Sequence, residues 1–106
     1  MKRIYQISEL GSQREKVGKR YLEFLRIPAM SAGVYVLLPG ETDPQKPHNE
    51  PELYYVIRGR GRIKIGAEEH EVRAGCVIFV EAKEEHRFFD ITEELMVLVF
   101  FAPAES

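Results

Sequence analysis

GETDPQKPHNEPELYYVIRG, running from Gly40 to Gly59, opens on turn formers, carries His48, Glu50 and Glu52, and ends in a β-branched and aromatic run. A second stretch from Gly75 to Asp90, GCVIFVEAKEEHRFFD, repeats the plan: a Gly boundary, a Val/Ile/Phe run, then a histidine, His86. Successive side chains of an extended chain alternate faces, so Lys46, His48, Glu50 and Glu52 share one side and converge. Pro47 and Pro51 remove two ladder donors, which predicts a bent or edge segment, and the bend is able to throw Glu50 off the common face.

Two imidazoles and one carboxylate, His48, His86 and Glu52, delivered from two separate strand-like segments, form a donor set for a divalent transition metal. A lone histidine on a half-buried strand is most simply a hydrogen-bonded core or rim residue. Two of them, each beside the same kind of strand and Gly boundary, favour the metal. Ligand type alone admits Fe, Mn, Ni, Zn, Co or Cu. Three ligands on one face leave open positions for water or substrate, and Glu50 is the residue placed to close them. Lys46 either points to solvent or anchors a substrate carboxylate or the Glu50 anion, as a point charge does. Without a metal, His48, His86 and Glu52 would make a general acid/base group.

Outward from these motifs the chain is a succession of strands, expected at residues 21–27, 32–38, 53–58, 62–65, 69–73, 77–80, 86–91 and, in the longest apolar run, 95–102. Residues 64–68 read as a hairpin connection with Gly66 in the turn, and only residues 8–16 read as helical, with Ser8 as N-cap. A small antiparallel sheet buries its inner face and hides its edges by closing into a barrel, whose mouth admits a ligand. The alternation that points Glu52 inward carries Tyr54 and Val56 with it, and the one that points His86 inward carries Phe88 and Asp90. Phe88 then helps keep the pocket dry and Tyr54 offers a hydroxyl.

At 106 residues the chain suits one compact domain, with net charge −2 and acids and bases interspersed. Neither an electrostatic nucleic-acid footprint nor a polybasic membrane patch is visible, so no nucleic acid and no membrane is expected as partner. Arg58, Arg60, Arg62 and Lys64 alternate as a solvated or edge-protecting strand face. The one cysteine, Cys76, excludes an intrachain disulfide and reads as a small buried hydrophobe. No signal-peptide pattern opens the chain, which places the expectation in the cytoplasm. His70 lies among acids and reads as solvated, and Gly59-Arg-Gly61 lacks the helix and Lys-Ser/Thr pair of a phosphate loop. Ile4, Tyr5, Ile7 and the apolar residues of 21–27 exceed what so small an interior receives, which predicts a homodimer.

The two stretches resemble the paired motifs of the cupin superfamily. The first family motif runs Gly, five residues, His-x-His, three or four residues, Glu, six residues, Gly, and falls without a gap on Gly40, Lys46, His48, Glu52 and Gly59. The second runs Gly, five residues, Pro-x-Gly, two residues, His, three residues, Asn, and falls on Gly75, Glu81, Lys83, His86 and Asp90. The resemblance covers residues 34–102 and implies an all-β, antiparallel double-stranded β-helix or jelly-roll barrel over residues 31–103, with residues 1–30 as an arm packing on the barrel or on a dimer partner. Lys46 stands where the family's first metal histidine would be, which implies a two-His, one-carboxylate site instead of three His and one Glu. Glu81 and Lys83 replace the turn Pro and Gly. The resemblance implies a metal-binding cupin that accepts a small anionic or oxygen-rich molecule, as a dioxygenase, isomerase or decarboxylase, or else a non-catalytic small-molecule-binding or sensory module.

Overall fold

A computed structural model describes all residues, 1–106. The helix α1 (Ile7–Val17) is followed by the strands β1 (Tyr21–Ile27), β2 (Met30–Leu37), β3 (Glu52–Ile65), β4 (Glu68–Arg73), β5 (Val77–Val80) and β6 (His86–Phe101). Every strand pairing is antiparallel, in the order β1-β2-β6-β3-β4, with β5 on β3. The expectation of an all-β antiparallel barrel holds, and the two expected N-terminal strands are present.

The middle of the chain differs in a way that explains the barrel. The segments expected at 53–58 and 62–65 are one strand, β3, and those at 86–91 and 95–102 are one strand, β6. The two lie side by side from Glu52 opposite Phe101 to Ile65 opposite His86, with register shifts between Val56 and Arg62. In β3 the buried positions are Glu52, Tyr54 and Val56 before the shifts and Ile63 after them; in β6 those facing the barrel are His86 and Phe88, then Ile91, Leu95, Val97, Val99 and Phe101, while Met96 is buried on the other face under α1. The inward phase therefore changes from even to odd numbers in both strands. An irregularity of this kind bends a strand and re-aims its side chains, so each long strand lines the interior along both halves of its length.

The bends have identifiable residues. Gly59 sits at φ 100, and a Cβ there would run into the Glu94 carbonyl and the Leu95 backbone, so the strands approach closely only because glycine is present. Earlier along β6, between Phe89 and Ile91 where Gly61 packs, Asp90 takes φ 48 and is exposed. The expectation that Asp90 follows His86 and Phe88 inward is thus corrected: strict alternation ends at the bend.

The interior is filled by side chains such as Leu37, Tyr54, Val56, Phe88, Val97 and Phe101. A second apolar layer lies outside, where α1 sets Leu10 against Val34, Val36 and Met96. Both faces of β2 are therefore covered. The helix begins earlier than expected: Gln6 occupies the N-cap position with no side-chain cap, its carbonyl accepting from the Leu10 N–H, so Ser8 is inside the first turn. Packing of Ile7 and Leu10 on the sheet decides that start over the hydroxyl's capping preference.

Residues 1–30 are thus helix and edge strand of the same sheet, β1 pairing with β2 along its length. Tyr5, Ile7, Leu22 and Phe24 pack on the Leu10 cluster, with the Tyr5 and Phe24 rings 4.9 Å apart. The chain itself covers most of the residues that argued for a second copy. The large apolar side chains left exposed include Ile4 and, on the outer face of β3 and β5, Leu53, Tyr55, Val77 and Phe79. Arg58 and Arg60 pair with Glu94 and Glu93, and Arg62 lies near Glu69 and Glu71, a solvated cross-strand face of small energetic weight.

Gly59→Ala is expected to cost about 2–4 kcal/mol, because it adds a backbone clash to a positive φ. Gly18, at φ 74 with nothing near its missing Cβ, carries the conformational penalty alone, about 1 kcal/mol. Urea denaturation of both variants checks this; equal losses would contradict the close approach of β3 and β6.

Candidate metal centre

The loop between β2 and β3 carries the first motif into the barrel, and one carboxylate holds it there. Asp43 is buried and accepts from the Tyr35 hydroxyl (2.7 Å), the Phe88 N–H (2.9 Å), the Gln45 N–H (3.2 Å) and Gln45 Nε2 (2.9 Å). Burial, the hydrogen bond and the Asp43 charge push the Tyr35 hydroxyl far above its ordinary range, so it remains a donor. Gln45, oriented by Asp43, in turn accepts from the Tyr54 hydroxyl (3.0 Å) and places its Oε1 3.2 Å from His48 Nε2. Sequence reasoning missed both: Asp43 because Tyr35 and Phe88 lie on other strands, and Gln45 because its contacts to the nearby Asp43 and His48 depend on a loop shape that alternation does not give.

The second motif docks on the first through its backbone. Lys83 adopts φ 65, the left-handed conformation that a glycine would take at that turn, and its N–H donates to the His48 carbonyl at 2.6 Å. A non-glycine residue there costs about 1–2 kcal/mol, which the backbone bond helps offset. The loop ahead of His86 thus keeps its shape without the turn Pro and Gly.

His48, Glu52 and His86 come together, one ligand atom from each lying within 4.8 Å of the others. His86 Nε2 is 2.6 Å and His48 Nε2 3.7 Å from Glu52 Oε1. The far side of each ring is held by an acceptor: His86 Nδ1 donates to the Glu84 carbonyl at 2.8 Å, and His48 Nδ1 faces the Glu105 carboxylate at 3.0 Å. With a proton on each Nδ1, both Nε2 lone pairs face Glu52, the arrangement that ligating imidazoles adopt. Glu52 Oε1 and Oε2 and His86 Nε2 are buried with no hydrogen-bond partner outside the cluster; at 2.6 Å, His86 Nε2 and Glu52 Oε1 approach so closely that a proton or a cation has to lie between them.

Burial alone would lower the His86 pKa, but the Glu52 contact, the Glu84 carbonyl and the charges of Glu52 and Asp43 outweigh it and raise it. Burial first, then the charge of Glu52, raises Tyr54 well above its usual range, leaving a neutral donor at the rim of the site. Burial also raises Glu105, with Glu52, Glu23 and Glu50 adding to it against the pull of His48. A pocket rich in buried lone pairs and poor in donors is one that a cation suits, and two imidazoles with a carboxylate are suitable ligands for the first-row divalent metals.

The other expected site residues take different places. Lys46 is exposed at the mouth. Glu50 does not join the three ligands: it is buried, but its Oε1 accepts from the Ser106 N–H at 3.2 Å, because the bend at Pro47 and Pro51 turns it toward the C-terminal segment. Tyr54 and Phe88 are buried with ring centroids 5.1 Å apart, and Tyr54 also stands beside His86. Cys76 is half-buried rather than fully buried.

Two openings border this region. The larger cavity, about 1120 Å³, runs along Arg60–Arg62, Arg73 and Phe88–Thr92 and includes none of the three ligands. A smaller cleft of about 350 Å³ reaches His86 and is walled by Gln45, Lys46, Lys64 and Arg87. Of the two, only the smaller cleft is bordered by one of the three clustered residues, His86, whose side chain is itself buried.

Comparison with known proteins agrees with this fold. The family model for the cupin domain matches residues 33–101. An uncharacterized protein of Streptomyces coelicolor is 43% identical over 104 residues, covering 98% of this chain and 99% of that one. Among solved structures, TT1209 from Thermus thermophilus superposes with TM-score 0.74 at 23% identity, over 95% of this chain and 97% of its own. A cupin family protein from Methanocaldococcus jannaschii with a double-stranded β-helix fold superposes with TM-score 0.71 at 19% identity, over 78% of each chain. The chain belongs to the cupin family. No helix is long and apolar enough to cross a membrane.

Asp43→Ala is expected to lower stability by about 3 kcal/mol, since it leaves the Tyr35 hydroxyl and the Phe88 N–H buried without an acceptor. Asp43→Ala combined with Tyr35→Phe should cost less than the sum of the two single changes, because the second removes an orphaned donor. Additive losses in urea denaturation would contradict the shared bond.

Proposed function

We propose that this cupin binds one divalent transition metal through His48, Glu52 and His86 and uses it to hold a small anionic, oxygen-donor molecule. The carrying observation is the cluster of buried atoms with no hydrogen-bond partner outside it, Glu52 Oε1 and Oε2 and His86 Nε2, gathered with His48 within the span of one ion. When bound, the metal would supply Lewis acidity at positions that three protein ligands leave open. The chain's own residues do the rest: Glu84 and Glu105 hold the rings, Phe88 and Phe101 keep the surroundings apolar, and Tyr54 presents a neutral hydroxyl near His86.

The anionic character of the ligand is supported at the mouth. Lys46, Lys64 and Arg87 line the cleft beside His86 with Glu85 as the one carboxylate, and none of the three cations is in an ion pair. Unpaired cations around a narrow entrance draw anions toward it. A dioxygenase, isomerase or decarboxylase would use this open position for turnover, while a binding or sensory module would use it for recognition. Steady turnover of a candidate acid by the metal-loaded protein separates the first class from the second.

Purified protein titrated with Zn, Mn, Fe, Ni or Cu is expected to bind about one ion per chain. His86→Ala and His48→Ala should each weaken binding by at least about 100-fold while circular dichroism shows the barrel intact. Wild type that retains none of these ions above background would overturn the assignment.

For the entrance, Lys64→Glu should weaken oxalate binding to the metal-loaded protein about three- to tenfold at low salt, the size of one partly screened charge contact. Arg58→Glu, at a site paired with Glu94 and outside the cleft, is the comparison. If both substitutions change oxalate affinity equally, the cleft is not the route.

A further inference from the structure

We propose that Glu105 is the positioning carboxylate of the site, and that the segment of residues 102–106 is a strap that delivers it to His48. The proposal rests on the metal assignment above and adds to it a residue outside both motifs.

The segment is pinned on both sides of Glu105. The Ala102 N–H donates to the Pro51 carbonyl (3.4 Å) and the Ala104 N–H to the Pro28 carbonyl (3.3 Å). The Glu105 N–H donates to Ser31 Oγ (2.9 Å), and Arg26 donates to the Glu105 carbonyl (2.7 Å). Beyond it, the Ser106 N–H donates to Glu50 Oε1 (3.2 Å), and Asn49 Nδ2 to Ser106 Oγ (3.0 Å). Backbone held at this many points fixes where the Glu105 side chain starts, and its Oε2 lies 3.0 Å from His48 Nδ1.

The consequence for His48 is chemical. A neutral imidazole has one proton for two acceptors, Glu105 Oε2 at 3.0 Å from Nδ1 and Gln45 Oε1 at 3.2 Å from Nε2; the charged carboxylate is the one we assign it to, which frees Nε2 toward Glu52. His86 needs no such residue, because the Glu84 carbonyl does the same work from within its own loop. His48 has no backbone acceptor of this kind and takes one from the far end of the chain. The ring is also held edge-on against Phe101, with centroids 4.9 Å apart, so that only its rotation and tautomer remain for Glu105 to choose. Glu50 thereby acquires a role: it anchors the strap instead of binding the metal.

The test uses the full chain with Glu105→Ala and Glu105→Gln. In metal-free protein, ¹⁵N spectra of the His48 ring should show the Nδ1–H form in wild type and a shift toward the Nε2–H form, donating to Gln45 Oε1, in Glu105→Ala. Glu105→Ala should weaken Zn binding about 10- to 100-fold by calorimetry at fixed pH, and Glu105→Gln, which keeps an acceptor oxygen, should recover most of that loss. The Co absorption spectrum should be the same in wild type and Glu105→Gln, since the residue is not a ligand. Unchanged tautomer and unchanged affinity in Glu105→Ala would overturn the proposal, as would a Co spectrum showing loss of a ligand. If wild type binds no metal while the tautomer still depends on Glu105, the metal assignment fails and the positioning contact stands.

Discussion

A single buried carboxylate, Asp43, determines where the first motif goes. It takes donors from β2, from β6 and from its own loop, and each would be an unmet polar group inside the barrel without it. A buried carboxylate is tolerable only when it is heavily hydrogen-bonded, and here the requirement runs both ways. Through Gln45 the same anchor reaches Tyr54 and His48, so the position of a candidate ligand depends on a residue two bonds removed from it. The second motif is then fastened to the first by the Lys83 N–H, which brings His86 to the same place.

The long strands β3 and β6 provide the frame for these anchors. Both start an element with a candidate ligand, Glu52 and His86, and both reverse their inward phase farther along. Glu52 lies opposite Phe101 and His86 opposite Ile65, at opposite ends of the ladder, so only a curled sheet brings the two ligands within contact. Closure of the barrel and assembly of the site are consequently the same event. The backbone freedom at Gly59 and the positive φ of Asp90 contribute to both.

Much of this was legible in the residues. The turn-bounded apolar runs and the joint spacing of His48, Glu52 and His86 carried the barrel and the ligand cluster, because alternation and motif spacing are local properties. The fusions at Gly59–Gly61 and Asp90–Glu94 were not legible, since residues that usually punctuate strands here bend them. Glu50 looked like a ligand by alternation and instead anchors Ser106, because the two prolines break the alternation that argued for it. Asp43 and Glu105 were missed because their decisive partners, Phe88 and His48, are far away in sequence; Gln45 is a sequence neighbour of Asp43 and His48, but nothing in an irregular loop shows which way its amide turns.

The central claim is that His48, Glu52 and His86 form a metal centre instead of a self-satisfied buried ion pair. Anomalous diffraction at the absorption edge of zinc, from crystals of the zinc-loaded protein, tests it most directly. The account predicts one strong peak within about 2.0–2.2 Å of His48 Nε2, a Glu52 carboxylate oxygen and His86 Nε2. A peak elsewhere on the molecule, or no peak with His86 still closed on Glu52, would contradict it.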